Sequence, residues 1–573
     1  MYLRFENGRI NAYSSFKEKD RLRKVGFRWT SKLKAWGIKP TALKMQMFFS
    51  EFRQDSMQMD EGCKDLIKKA KSQVKARENK QATLQKLKED LFRNPSLIDV
   101  TPYAIPKGIT LYDHQKIALE YFYSSNSGNL YGDCGVGKTA IMLLLTERLI
   151  RENKVQKVLV VCPKSIMRAA WEEDAQKFTP NLSLCVLDKG TKLNKAILKK
   201  DFHSHPKLKK LYDNPYDIYV INYESLHGLK KDIPYYGFDL LILDEASKVK
   251  GHKTKVSKTC VELSKFFPRR YIMSGTPAPN SELEYFSQMN IVDPTLFGDS
   301  FFSFREDWFR SYGFMGFQFE LLESLRTDFI KKLYTYGLRF KQKDCVDLPS
   351  RQYLELPSYM SQKLSKAYRT LQKEKVLEMQ NSVVPVSNPL AELTKLRQLC
   401  SSHCKNEEGE LVTFENHKIK TAEEFLESIP EEQVIIWAVF IHDIESLKEL
   451  LGDKAGALYG KTSSSEMTRI TQEFKAGKLQ YIIANPKSVA HGHTWVNARV
   501  NLFYSLDYSS EAYEQACKRT HRIGQLEKVL YYHMMSRTDI GDKTIDSIIY
   551  AAVRGKLKNS YEVMDAFKEL ALG

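Results

Sequence analysis

The sequence predicts an α/β protein with two parallel-sheet lobes, a helical insertion between them and a small N-terminal α+β module. Two sets of strand signals carry that reading. In the first half, short apolar runs rich in β-branched residues lie around residues 129–132, 155–162, 218–222, 240–244 and 270–274. A second set occupies residues 433–440, 455–459, 481–484, 500–504 and 529–534. Near-continuous apolar strands that alternate with helical patterns suit a parallel sheet covered on both faces. The tract between the sets is rich in aromatics and long charged helical stretches, with few strand signals, and so reads as a helical insertion.

Taken in order, residues 1–48 are expected to form a basic, aromatic module and residues 49–98, dominated by Lys, Glu and Gln, a solvated linker helix or else a disordered linker. Residues 99–284 are the first lobe, 285–415 the insertion and 416–538 the second lobe. Residues 539–573 carry apolar positions at helical spacing and are expected to brace one lobe against the other. At 573 residues the chain exceeds what one hydrophobic core holds, which is why several units are expected.

Hydrophobic residues at 42% and charged residues at 28% describe a globular chain and exclude a disordered one. Lys and Arg total 88 against 70 acidic residues, a formal net charge of +18 that favours polyanions. Nine cysteines are scattered singly, a pattern that suits a reducing compartment. Cys400, His403 and Cys404 offer three ligands at an unusual spacing with no second half, so packing is favoured over a structural zinc. No apolar run reaches membrane-spanning length and residues 1–19 lack a signal core, so no membrane association is expected. The expected location is cytoplasmic, or nuclear in a eukaryote, and not secreted.

The first chemical signal is Gly132-Asp-Cys-Gly135-Val-Gly137-Lys138-Thr139, which fits G-x-x-x-x-G-K-[ST] between a strand and a helix-forming run. Such glycines let backbone N–H groups wrap phosphate oxygens at a helix N-terminus; Lys138 reaches the β- and γ-phosphates and Thr139 can ligate Mg2+. Hydrolysis of ATP also needs one carboxylate on the metal and another to orient or deprotonate water. Asp244 and Glu245 cap the apolar run Leu240-Leu-Ile-Leu and are assigned those roles in that order. Further on, Gln515-Ala-Cys-Lys-Arg519-Thr-His-Arg522-Ile-Gly-Gln525 places two arginines three apart, on one face if the segment is helical. Arginines aimed across a cleft would stabilise charge on a transferring phosphoryl group.

These segments, with several others, give the chain a resemblance to the Swi/Snf-type ATPases of superfamily 2 over residues 109–537. Leu111-Tyr-Asp-His-Gln115 resembles the adenine-sensing glutamine motif, Val161-Cys-Pro-Lys164 through Trp171 motif Ia, and Ile221-Asn222-Tyr223-Glu224 motif Ib. Ser274-Gly-Thr276-Pro277 resembles motif III, Leu393 through Cys400 the segment leading into the second lobe, and Gln515 through Gln525 motif VI. The order along the chain is the family's order. The resemblance implies RecA-like lobes, ATP and Mg2+ as cofactors, and adenine contact by Gln115. It also implies coupling through Ser274, Thr276 and Gln515, and nucleic-acid contact at Lys164, Asn222, Tyr223 and Thr276. It further implies a motor that tracks duplex DNA through its backbone, with weak sequence preference and steep salt dependence.

Two departures stand out. Ser247 replaces the histidine usual after Asp244-Glu245-Ala246, which questions the coupling to motif III. Residues 488–494 keep only part of motif V, leaving His491 and His493 open between DNA contact and packing. The N-terminal module resembles accessory modules of fork-remodelling, annealing-type members. Arg28, Trp29, Lys34 and Trp36 could grip an exposed strand, or Phe27, Trp29 and Trp36 could be the module's own core. The expected activity is therefore a nucleic-acid-dependent ATPase, a double-stranded DNA translocase acting on branched or forked DNA in repair or recombination. Replication or recombination proteins are candidate partners, and a monomer is expected. The alternatives are a strand-separating DNA or RNA helicase, a chromatin remodeller and a catalytically inactive nucleic-acid-binding scaffold.

Overall fold

The computed structural model describes the chain except for residues 7, 15, 39–44, 46–47, 50, 53–56, 134, 188–215, 231–232, 276, 279–280, 313–317, 382–392, 406–409, 490–493, 556–561, 564–565, 568 and 571–573. It divides into two compact units. The first holds Met1–Asp133, Lys138–Cys162 and Ala175–Phe340; the second holds Cys134–Gly137, Pro163–Asp174 and Lys341–Gly573.

The first unit opens with a small sheet of β1 (Tyr2–Glu6), β2 (Arg9–Tyr13), β3 (Arg28–Thr30), β4 (Ala35–Ile38) and β5 (Gln58–Met59), in the order β3-β4-β2-β1-β5. The helix Lys19–Val25 packs on it, and Leu3, Ile10, Leu22, Val25, Phe27, Trp36 and Phe52 form its core. Cys63 and Ile67 of the 33-residue helix Glu61–Arg93 join that core, so the module extends beyond residue 48. Asp60 explains the joint. One carboxylate oxygen accepts from Cys63 N at 2.7 Å as the helix cap, and the other accepts from Phe5 N at 2.9 Å on β1. Such a cap contributes about 1 kcal/mol. The long helix is no free linker, because Lys88 near its end donates to Gly337 O at 2.8 Å.

The main sheet of this unit contains β6 (Ser127–Gly132), β7 (Val158–Cys162), β8 (Leu184–Val186), β9 (Ile218–Asn222), β10 (Leu240–Leu243) and β11 (Arg269–Ser274). A hairpin of β12 (Phe309–Tyr312) and β13 (Gln318–Leu321) follows, and then β14 (Gly337–Phe340) returns to the main sheet. The seven-stranded order is β14-β6-β11-β10-β7-β9-β8, with parallel ladders throughout. β14 can approach β6 closely because residue 337 is glycine: a Cβ there would lie 2.7 Å from Asn129 Cγ.

The second unit contains β15 (Arg351–Tyr359), the hairpin of β16 (His403–Lys405) and β17 (Leu411–Thr413), then β18 (Val434–Trp437), β19 (Ala455–Leu458), β20 (Tyr481–Ala484), β21 (Val500–Phe503) and β22 (Val529–Arg537). Six of these form a parallel sheet ordered β15-β22-β21-β18-β20-β19. Both lobes are therefore parallel α/β sheets, as the strand patterns predict.

The expected helical insertion needs correction, since the described residues of 285–415 carry six strands, β12 to β17, and two of them close the main sheets. β14 is only four residues long, and β15 includes Pro357, which lowers any strand reading. Proline is accommodated because β15 is an edge strand, where a missing N–H costs no ladder bond. The C-terminal helix Ile545–Val553 buries Ile545, Ile549 and Val553 in the second unit's own core, beside Leu364, Tyr368 and Leu396. Among the described residues, no helix is long and apolar enough to cross a membrane.

Candidate active site

The phosphate-loop residues follow β6 directly, and the helix Lys138–Arg151 begins at the lysine. Gly135 and Gly137 both take left-handed backbone, with φ of 90° and 80°, which a side chain would strain. Lys138 Nζ donates to Gly132 O at 2.7 Å and to Asp133 O at 3.2 Å, so the ammonium is folded back over the loop. The first turn of the helix carries no acid, leaving its positive dipole end uncompensated by local charge. The half-buried Thr139 stands beside Lys138 on the same turn. Gln115 lies in the first turn of the helix Asp113–Ser124, and its Oε1 accepts from Tyr112 N at 3.1 Å.

The acidic pair stands past the end of β10, two strands from β6 in the sheet order. Asp244 N donates to Val161 O at 2.8 Å, which extends the β7 ladder by one residue and fixes the aspartate at the strand end. Tyr223 donates its hydroxyl to Asp244 O at 2.8 Å. Glu245 then reverses the chain in a left-handed conformation, φ 55°, into the short turn Ala246–Val249. A non-glycine residue there stores about 1–3 kcal/mol, which the surrounding packing must sustain. Its Oε1 accepts from Ser247 Oγ at 3.1 Å and from Ser274 Oγ, at the end of β11, at 3.3 Å. Ser247, the residue that departs from the family pattern, thus shares one carboxylate oxygen with the motif III serine.

The donor set suits the expected groups. Thr139 and Asp244 offer hard oxygen ligands of the kind Mg2+ selects, and glycine backbone with a lysine at a helix N-terminus suits phosphate.

Other sequence-predicted residues fall differently. Tyr223 is 2% exposed and cannot meet a nucleic-acid backbone; its ring belongs to the core and its hydroxyl to Asp244. Asn222 is half-buried and donates to Glu224 Oε2 at 2.7 Å, while Lys164 is exposed. Thr276, His491 and His493 lie outside the described residues. In the N-terminal module Trp36 is 7% exposed and Trp29 52%, with the rings 5.5 Å apart edge to face. Trp36 is therefore a core residue and not a gripping one, whereas Arg28, Trp29 and Lys34 are exposed on edge strand β3 and the turn after it. Among the described residues, no group of three His, Cys, Asp or Glu is placed to hold a metal, and Cys400 and His403 are buried.

The arginine segment also differs from expectation. The helix Ser510–Cys517 ends before Arg519, so Arg519 and Arg522 do not share a helical face. The termination has a local cause: Thr520 is buried, its hydroxyl accepting from Asn501 Nδ2 at 3.0 Å on β21, and this draws the chain inward. Gln525 Nε2 then donates to Val496 O and Ala498 O, at 3.1 and 3.2 Å, which closes the loop. Arg519 is buried and Arg522 half-buried, and Gln515 donates to Glu511 Oε1 at 3.3 Å. Arg351 and Gln342, which contact this loop at His521, carry no sequence signal because they come from a separate segment.

Residues 28–405 match the family model of the SNF2-related domain, and residues 417–524 match that of the helicase conserved C-terminal domain. The mouse chromodomain-helicase-DNA-binding protein 1-like is 23% identical over 479 residues, spanning 80% of this chain and 50% of that protein. The putative protein p41 of Acyrthosiphon pisum secondary endosymbiont phage 1 is 21% identical over 482 residues, spanning 81% of this chain and 99% of that one. Among solved structures, the SWI2/SNF2 ATPase core of Sulfolobus solfataricus in complex with dsDNA is 21% identical and covers 83% of this chain and 95% of that one, with a TM-score of 0.36. The SNF2-related model alone takes in more than half of the residues, and the chain belongs to the SNF2-related family, the Swi/Snf-type branch of superfamily 2.

Proposed function

We propose that the protein is an ATP-hydrolysing translocase on double-stranded DNA. The observation that carries this reading is the catalytic carboxylate arrangement. Glu245 is buried at a strained strand end, with Ser247 and Ser274 holding one oxygen, in the same sheet as the phosphate loop. In this reading Lys138 and the N–H groups of Gly135 to Thr139 hold the β- and γ-phosphates of ATP, and Thr139 and Asp244 hold Mg2+. The metal, when bound, neutralises charge on the phosphate oxygens. Glu245 orients the attacking water and takes its proton, while the hydroxyls on Oε1 keep the carboxylate from rotating. Arg519 and Arg522 supply positive charge as the bond to the γ-phosphoryl breaks. Ser274 ends β11 and also touches Glu245, so a shift of the segment following it would be felt at the base, which is a physical route for coupling.

The net charge of +18 and the family's double-stranded track support DNA as the polyanion. A role on branched or forked DNA rests on the exposed Arg28, Trp29 and Lys34 of the N-terminal sheet, a cationic and aromatic edge suited to unpaired bases. The deciding experiment compares ATPase rates with no DNA, single-stranded, duplex, forked and four-way DNA. Stimulation by duplex, with a further gain on branched forms, is expected. Stimulation by single strands far above duplex would overturn the translocase reading in favour of a strand-separating helicase.

A further inference from the structure

The loop that carries Arg519 and Arg522 is held by Arg351 and Gln342, which lie outside every motif quoted, and by His521, which lies inside the arginine segment but was given no role there. His521, between the two arginines, is buried. Its Nε2 lies 2.8 Å from Pro349 O and its Nδ1 2.9 Å from Arg351 Nε. A carbonyl can only accept and a guanidinium can only donate, so the imidazole is neutral and carries its proton on Nε2. Burial pushes its pKa down in the same sense. Gln342, also buried, donates from Nε2 to His521 O at 3.2 Å, and its Oε1 lies 3.5 Å from Arg351 Nη2. Arg351 is thus bonded to the ring and in reach of the glutamine that holds the same residue's backbone. Glu514, on the helix that leads into the loop, lies 4.0 Å from Arg351 Nη1.

The anchor of this arrangement is the sheet. Arg351 is the first residue of β15, in register with Val529 of β22, and Val529 N donates to Ser350 O at 3.1 Å. The far side of the arrangement faces Gly135, which is grouped with this unit. A Cβ at Gly135 would lie 3.1 Å from Gln342 Nε2 and 3.3 Å from Arg522 Cβ, so only glycine admits that approach without displacement.

We infer that Arg351, His521 and Gln342 are positioning residues for phosphoryl transfer, which fix the backbone of the arginine loop and hold Arg522 beside Gly135. The inference rests on the proposed role of Arg522. None of the three need touch nucleotide; Arg351 acts through His521, and Gln342 through the backbone between the arginines. Misplacing a charge-stabilising group by about 1 Å costs on the order of a hundredfold in rate, whereas binding of the ground-state nucleotide by the glycine loop should be little changed.

The test is Arg351→Met in the full chain, with kcat and KM for duplex-stimulated ATP hydrolysis measured beside the Kd of a fluorescent ATP analogue. The expected result is a kcat lower by about tenfold to a hundredfold with Kd within twofold. In parallel, imidazole 15N shifts should report an Nε2-protonated His521 in the native protein and an altered ring environment in the variant. Arg351→Lys, which keeps the charge but loses the planar fork, should fall between. A variant with native kcat, or an unchanged His521 signal, overturns the inference, as does an equal loss of kcat and affinity. Should Arg351→Met fail to fold, His521→Asn carries the same comparison, since it keeps an acceptor near the Nδ1 position and removes the donor to Pro349. Arg522→Ala separates the two levels. If it turns over at the native rate, the role of Arg522 has failed; if it is inactive while Arg351→Met is native, only the positioning inference has failed.

Discussion

The two main sheets handle buried charge in opposite ways. In the first unit the ionisable side chains of interest sit where strands end: Asp244 and Glu245 follow β10 and lie in one sheet with the phosphate loop. In the second unit charge is buried among the helices and strands themselves. Lys418 Nζ donates to Asp546 Oδ2 at 2.8 Å and to Tyr504 O at 3.1 Å, and Asp546 also accepts from Ser536 N at 3.1 Å. Asp443 accepts from the hydroxyls of Ser401 and Ser505, at 3.1 and 2.8 Å. Burial of a charged side chain therefore does not by itself mark chemistry. What separates Asp244 and Glu245 is their place at the end of a strand in the sheet that carries the phosphate loop, since hydroxyls hold Asp443 as they hold Glu245, and Lys418 and Asp546 satisfy each other.

Variants on each side break the comparison with different readouts. Lys138→Ala should abolish nucleotide binding, and Glu245→Gln should keep binding while lowering turnover by about a hundredfold to ten-thousandfold. Both are read from ATPase rates and analogue binding, and neither should move the unfolding midpoint appreciably. Lys418→Met should do the reverse, leaving nucleotide binding intact but removing about 3–5 kcal/mol of stability, because Asp546 is left buried with its charge uncompensated. The double variant Lys418→Met with Asp546→Leu should recover much of that loss in urea titrations, and failure to recover would mean that the ion pair does more than satisfy itself.

Acid sharpens the contrast further. Burial, reinforced by Lys418, holds the imidazole of His417 down to about 3, and burial likewise holds His533 at about 3. The folded protein refuses protons that the unfolded chain accepts below pH 6.5, so stability is full above that pH and declines as pH falls towards 3. At pH 5 each histidine should cost about 2 kcal/mol. Asp443 works in the other direction, since burial raises it from 3.8 to about 6 and stabilises the protonated fold as pH falls from 6 to 3.8. Two histidines against one aspartate leave a net acid destabilisation in that window, and His417→Gln should flatten the fall between pH 7 and 5. The smallest effect is expected in the N-terminal sheet, where Arg28→Ala with Lys34→Ala should lower four-way-DNA stimulation several-fold. Its salt slope should drop by about 2 and the duplex-stimulated rate should stay unchanged.

Much of the fold was legible because parallel strands buried on both faces leave continuous apolar runs, and β6, β7, β9, β10 and β11 all fall in such runs. Three of the four edge strands of the main sheets do not follow that rule, the exception being β19. β8, β14 and β15 are edges with three, four and nine residues, the last interrupted by Pro357, and none stood out as an apolar run. The phosphate loop and the acidic pair were readable because each is contiguous. The hydroxyl support of Glu245 is only half readable: Ser274 lies in a motif, whereas Ser247 departs from the family pattern and its hydroxyl reaches the same oxygen. Tyr223 reads outward, and Trp36 either outward or inward, because an aromatic beside polar residues has the same composition whether it faces solvent or core. The support of the arginine loop draws on residues 342, 351 and 521, which no local pattern could join.

The ladder between β15 and β22 has a consequence for how the molecule is made. Among the described residues, the strands of the first sheet are all made once synthesis has passed Phe340, but β15 pairs only with β22, which begins at Val529. During translation a nine-residue strand must therefore wait, unpaired and with its ladder groups exposed, while the intervening chain is added. Long-range parallel pairing of this kind closes slowly and leaves a sticky edge in the interim. Premature termination between residues 503 and 529 should yield a chain whose first sheet has all its strands and whose second presents a half-built template, prone to self-association at the position that β22 would have filled.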